Sequence, residues 1–221
     1  MVFTWATHEK RYMTEDWDRS PHSILWSQDG KTLYLTTEDQ GRIKLFQLPL
    51  SKDSFQKHPH PIITQHSLSA VHCAGPNLLL SQTSLTSPSI IQLYSPGTKS
   101  LRPLLTTWSG TTAPLTEKSV LDFWFYGANA KQVHGFLHLP ESFDRKKRYP
   151  LAFLIHGGPQ GAWEDSWSTR WNPAVFANAG AEGEEGGWVV AAINPTGSTG
   201  YGQEFTDAIQ GNWGTTPCML P

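Results

Sequence analysis

The sequence predicts two unlike parts: antiparallel β-structure, of the kind that makes partial β-propeller blades, over residues 1–115, and the beginning of an α/β sheet over residues 116–221. Three observations predict this division. Near residue 115 the chain changes from short alternating segments cut by Gly, Pro, Ser and Asp to long apolar runs and Gly-rich loops. Residues 21–50 hold three strand-like segments with tight turns, and a weaker echo follows after roughly 45 residues, the period of a four-stranded propeller blade. Residues 151–193 read strand, helix, strand, the order that builds a parallel sheet.

Taken in order, Ile24-Leu25-Trp26 leads to Asp29-Gly30, a type I′ hairpin signal, because both central residues of that turn need positive φ. Thr32 to Thr37 is β-branched and aromatic, as strands are. Gln40-Gly41 marks another turn, and Arg42 to Leu48 alternates polar and apolar as a half-buried strand does. In the echo, Ser69 to His72, Leu78 to Gln82 and Ser89 to Tyr94 read as strands, with Gly75-Pro76-Asn77 and Ser95-Pro96-Gly97 as turns. Two blades do not close a propeller ring. A small antiparallel sheet padding a neighbouring domain is the open alternative. Ser119 to Tyr126 and Val133 to Leu139 read as a hairpin around Gly127-Ala128-Asn129.

The apolar run Leu151 to Ile155, bounded by Pro150 and Gly157, has the pattern of a central parallel strand covered on both faces. Asn172 suits a helix N-cap with Pro173 at the first helical position, and Gly180 suits the left-handed stop. Trp188 to Ile193 is the second buried strand, so a right-handed crossover is expected. Trp163, Trp167 and Trp171 have the spacing of a packed helical or loop face.

Ligands of α/β sheets sit at the carboxyl ends of the strands. There stands His156-Gly157-Gly158-Pro159-Gln160-Gly161. Glycines let backbone N–H groups approach a ligand. In α/β-hydrolases a Gly-rich loop after the third strand supplies an oxyanion-hole N–H, which stabilises the charged oxygen by about 3–4 kcal/mol. Gly157 and Gly158 are therefore the candidate oxyanion donors, and His156 is expected to orient the loop. After the second strand, Asn194-Pro195-Thr196-Gly197-Ser198-Thr199-Gly200-Tyr201-Gly202 lacks the Lys and the spacing of a phosphate loop.

These residues, together with Asp165 to Pro173 and Thr206 to Gly214, resemble the start of the catalytic domain of the prolyl oligopeptidase family of serine peptidases, nearest its fungal dipeptidyl-peptidase V group. The resemblance is strong over 149–214 and loose over 20–110. It implies a β-propeller before an α/β-hydrolase domain, a Ser-His-Asp mechanism, peptide substrates with free N-termini, and a secreted protein. The sequence holds no Gly-x-Ser-x-Gly pentapeptide. In this fold the triad order is Ser, Asp, His, so all three are expected beyond residue 221 and the chain is expected to be inactive alone, as a truncated or mis-spliced gene model. Two other readings stay open: a non-catalytic propeller interaction module, and another α/β-hydrolase such as an esterase.

Composition narrows the partners. Lys+Arg 17 against Asp+Glu 19 leaves a net charge of −2, without the basic field of a nucleic-acid binder. No apolar run approaches the ~20 residues of a membrane helix, and residues 1–10 do not read as a signal peptide. Cys73 and Cys218 do not make a disulfide framework and are expected to be unpaired. His58-Pro59-His60 lacks a third ligand, so neither a metal nor a cofactor is expected. Glu182, Glu184 and Glu185 read as a solvated loop.

Overall fold

The computed structural model describes residues 1–50, 58–106, 115–180 and 187–214. A short hairpin of β1 (Val2–Thr4) and β2 (Glu9–Arg11) opens the chain. Next, β3 (Pro21–Trp26), β4 (Thr32–Glu38), β5 (Ile43–Pro49) and β6 (His60–Ile63) form an antiparallel meander in the order β3-β4-β5-β6. A second meander repeats the pattern with β7 (Ser67–Ala74), β8 (Asn77–Ser84), β9 (Ser87–Ser95) and β10 (Ser100–Thr106). Each therefore has four strands, where the sequence offered three segments. The missed strand is the last of each, and each contains a proline: Pro61 in β6 and Pro103 in β10. Proline donates no ladder bond and is confined to sheet edges and bulges. Both strands are edges, and the β10 register slips between Pro103 and Leu105.

The β3–β4 connection is not the type I′ turn read from Asp29-Gly30. Of that pair only Gly30 has positive φ, at +67°. The loop is instead closed by Gly30 N donating to Ser27 O (3.0 Å) and Ser27 N donating to Thr32 O (2.8 Å). The Asp29 carboxylate accepts from Ser27 Oγ (2.6 Å) and Lys31 N (3.1 Å), the local capping that short acidic side chains provide in turns. Type I′ geometry falls on Gln40-Gly41 (φ +53° and +69°), where Asp39 and Arg42 exchange both backbone bonds (2.8 and 3.3 Å).

Tyr34 and Leu45 of the first meander share one core with Leu68, Val71, Leu78, Leu80 and Tyr94 of the second. The first meander's other face, Leu33, Leu35, Phe46 and Leu48, is covered by Met13 and Trp17. That double cover explains the burial along β4, including Thr36 and Thr37.

The third sheet contains β11 (Val120–Tyr126), β12 (Gln132–His138), β13 (Leu151–Ile155) and β14 (Val189–Asn194) in the order β11-β12-β14-β13. β11 and β12 form the expected hairpin, and β13 runs parallel to β14. Between them lies α1 (Pro173–Ala177), with Asn172 Oδ1 accepting from Ala174 N (3.0 Å) and Gly180 at φ +71°, as the sequence predicts. A second short helix, α2 (Gln203–Asp207), follows the loop after β14.

Two expectations are corrected here. β13 is not a strand covered on both faces. It is an edge, with Leu151, Phe153 and Ile155 exposed to 57%, 42% and 60%. The inner position belongs to β14, paired on both sides and buried from Val190 to Asn194. An apolar run looks the same in either place, because the pattern records the faces a strand is built to bury and not the neighbours present. Of the packed helical or loop face read from Trp163, Trp167 and Trp171, the helical form is overturned, since residues 162–171 contain no helix. Trp163 packs on Leu85 and Phe136, whereas Trp171 is exposed to 56%. The Glu182–Glu185 loop and Cys218 lie outside the described residues. Cys73 is a free thiol on β7, with Sγ donating to Trp26 O (3.1 Å).

Candidate active site

β13 ends at Ile155, and the chain turns at once through His156-Gly157-Gly158-Pro159. Parallel pairing with β14 brings this corner beside the loop that leaves β14 at Asn194. The Gly157 and Gly158 amides have no acceptor among the described residues. Gly158 adopts φ +134°, a conformation closed to side chains, and a Cβ there would lie 2.8 Å from Gln160 N. At Gly157 a Cβ would meet nothing within 4 Å.

His156 ties the two loops together. Its Nδ1 lies 2.9 Å from Gly157 O and its Nε2 lies 2.8 Å from Ser198 Oγ. Ser198 is fully buried and donates to Pro195 O (2.6 Å). Thr199 N donates to Gly161 O (2.9 Å), a second link between the loops. The loop-orienting role expected of His156 agrees with this geometry. The corner borders a cavity of about 800 Å³ lined by Phe153, Ile155, His156, Gly157, Trp163 and Glu164. Burial, and then the neighbouring Glu38 carboxylate, push the Glu164 carboxyl up to about 7.

Behind the cavity lies a polar network that sequence reasoning missed. The tip of the β4–β5 hairpin reaches across to the third sheet. There Arg42 forks onto Asp122 (Nη1–Oδ1 2.9 Å, Nη2–Oδ2 2.8 Å) and approaches Asp165 (Nε–Oδ2 3.4 Å). Asp122 also accepts from His134 Nε2 (2.9 Å). Burial raises the Asp122 carboxyl, but the bonds from His134 and Arg42 outweigh it and hold the group well below the usual carboxylate range. On the other side of its ring, His134 Nδ1 lies 2.6 Å from the Tyr201 hydroxyl, which accepts from Asn194 Nδ2 (2.8 Å). Asn194 Oδ1 accepts from Trp163 N (2.6 Å), and Asp165 Oδ1 accepts from Leu85 N (2.9 Å). One chain of bonds thus fixes the β14 loop, the segment after the diglycine corner and both meanders. Alternation on β12 marks His134 as a strand residue, but no local signal pairs it with residues up to 67 positions away.

The remaining sequence candidates lie elsewhere. His58 pairs with Asp16 (3.0 Å) and His60 lies on the β6 edge. No group of three or more His, Cys, Asp or Glu side chains is placed to hold a metal among the described residues. No described helix is long and apolar enough to cross a membrane.

Comparison with known proteins agrees with the resemblance read from the sequence. Residues 167–218 match the model of the prolyl oligopeptidase family. Over 210 residues, 93% of the chain, it is 43% identical to dipeptidyl-peptidase 5 of Trichophyton schoenleinii. It is 40% identical over 221 residues to dipeptidyl-peptidase 5 of Schizosaccharomyces pombe. The chain spans 27% and 30% of the length of these two relatives. Among solved structures, the acylaminoacyl peptidase of Pyrococcus horikoshii superposes with a TM-score of 0.65 at 18% identity, over 93% of this chain and 30% of that one. At that identity the likeness is one of fold.

Proposed function

We propose that this chain forms the junction of propeller and catalytic domain in a serine dipeptidyl-peptidase, a secreted enzyme acting on peptides with free N-termini. In this reading residues 1–115 are the last part of a β-propeller, and residues 116–221 begin an α/β-hydrolase domain. The propeller limits access to small peptides. The attacking Ser, with its His and Asp, comes from sequence outside these 221 residues, and the Gly157 or Gly158 N–H holds the oxyanion of the acylation intermediate. The observation that carries the reading is the diglycine corner, with two amides that have no acceptor among the described residues, at the carboxyl end of β13 beside a largely apolar cavity. The similarity to dipeptidyl-peptidases supports the substrate class.

The test uses the longer protein that contains this chain. It is expected to release p-nitroaniline from dipeptide p-nitroanilides with a free amine, not from N-blocked ones, and to be labelled by a fluorophosphonate probe. The 221-residue chain is expected to stay unlabelled. Hydrolysis of p-nitrophenyl esters without any dipeptide amide cleavage removes the peptidase assignment.

A further inference from the structure

Ser198 has one hydrogen, and its 2.6 Å contact with Pro195 O uses it, because a carbonyl oxygen only accepts. The 2.8 Å contact between Ser198 Oγ and His156 Nε2 is therefore an N–H donated by the ring. By the same inventory the 2.9 Å contact at Nδ1 is an N–H donated to Gly157 O. A neutral imidazole has a single N–H, so with both contacts donated the ring is the doubly protonated imidazolium, stretched between a buried hydroxyl and the carbonyl of the corner. The peptide joining Gly157 to Gly158 is planar and trans, so its C=O and N–H point in opposite directions. Holding the Gly157 oxygen against the ring turns the Gly158 N–H away from it.

We infer that Ser198 is a positioning residue: through His156 it fixes the Gly157–Gly158 peptide plane and aims the Gly158 N–H at the reacting carbonyl oxygen. This deepens the oxyanion reading and rests on it. Two features support it beyond the bond lengths. Ser198 is fully shielded from water, so no solvent molecule replaces the hydroxyl when it is removed. Among the residues lining the cavity, His156 and Glu164 are the titratable ones, so the ring has no acidic anchor there besides Glu164.

The test has two arms. In dilute 221-residue chain labelled with nitrogen-15 histidine and held at about pH 5, below the ordinary histidine range, His156 is expected to show a slowly exchanging, hydrogen-bonded Nε2–H resonance that Ser198→Ala abolishes. In the longer enzyme, Ser198→Ala is expected to lower kcat by roughly ten- to a hundredfold with KM within about threefold, the pattern of an interaction made in the transition state. Gly158→Ala, which distorts the donor itself, is expected to cost about a hundredfold or more. If the Nε2–H resonance is absent from the wild type, or persists in Ser198→Ala, the Ser198–His156 link is refuted and the oxyanion reading is untouched. If the resonance behaves as expected but neither variant lowers kcat, the oxyanion reading falls and this inference falls with it. If only Gly158→Ala lowers kcat, Ser198 is a structural residue and the positioning role is overturned.

Discussion

Arg42 joins the first meander to the third sheet through its fork onto Asp122. Asp165 is nearly buried, with side-chain exposure of 9%, whereas Asp122 is exposed to 44%. Removing one partner of a buried pair costs roughly 3–5 kcal/mol, and half-exposed Asp122 recovers part of this from water. Arg42→Ala is therefore expected to lower stability by about 2–3 kcal/mol in urea titration. Arg42→Lys is expected to recover less than half, because an ammonium does not fork onto a carboxylate. A wild-type urea midpoint in Arg42→Ala would remove the network from any account of stability. Glu164 acts in the opposite direction to Asp122. Its folded pKa, about 7, lies above the ordinary 4.5, so the folded state binds the proton more tightly than the unfolded chain does. The cost is absent below pH 4.5, grows as pH rises to 7, and then levels off at up to roughly 3 kcal/mol. Glu164→Gln is expected to be near neutral at pH 4.5 and stabilising at pH 8. Equal urea midpoint differences at both pH values would contradict the raised Glu164 carboxyl.

β13 is where the sequence pattern and the fold disagree most, and the disagreement has a measurable consequence. Among the described residues no strand pairs with its outer edge, so its backbone groups stand beside exposed Leu151, Phe153 and Ile155 as a template for pairing with another chain. Self-association that rises with concentration is expected in light scattering, and Phe153→Lys is expected to suppress it without lowering the unfolding midpoint. Monodisperse wild type at high concentration would show that the edge is protected. The same strand shows what is legible locally. Strand positions, the Asn172 cap, the Gly180 stop and the diglycine corner rest on periodicity, capping chemistry and backbone freedom, all written within a few residues. The edge strands β6 and β10 were hidden by Pro61 and Pro103, which break the strand pattern while being tolerated at an edge. Turn type also escaped: Asp-Gly has the stronger I′ propensity, but the register of the first meander gives that geometry to Gln40-Gly41. The His156–Ser198 link, 42 residues apart, and the Arg42–Asp122 fork, 80 apart, exist only because strands from different sheets converge.

That convergence bears on whether the two parts of the chain are independent. Gly41 sits so close to Phe136 that a Cβ would lie 2.9 Å from its ring, and Asp165 N donates to Gly41 O (2.7 Å). Phe136, only 1% exposed, is sealed partly by Leu85 of the second meander and by Arg42 stacked 5.4 Å from its ring centroid. Residues 116–221 alone would expose this ring and leave Asp122 and Asp165 without their guanidinium. Losing most of the burial of one large aromatic costs about 3–5 kcal/mol, and the broken ion pair adds to it. Together these approach the 5–15 kcal/mol that holds an ordinary domain. Residues 116–221 expressed alone are therefore expected to lack a cooperative unfolding transition, and in the intact chain all three sheets are expected to unfold together. Far- and near-ultraviolet circular dichroism give the check, with coincident transitions expected for the intact chain. Cooperative melting of the isolated second part would show that the hairpin tip decorates an independent fold instead of completing it.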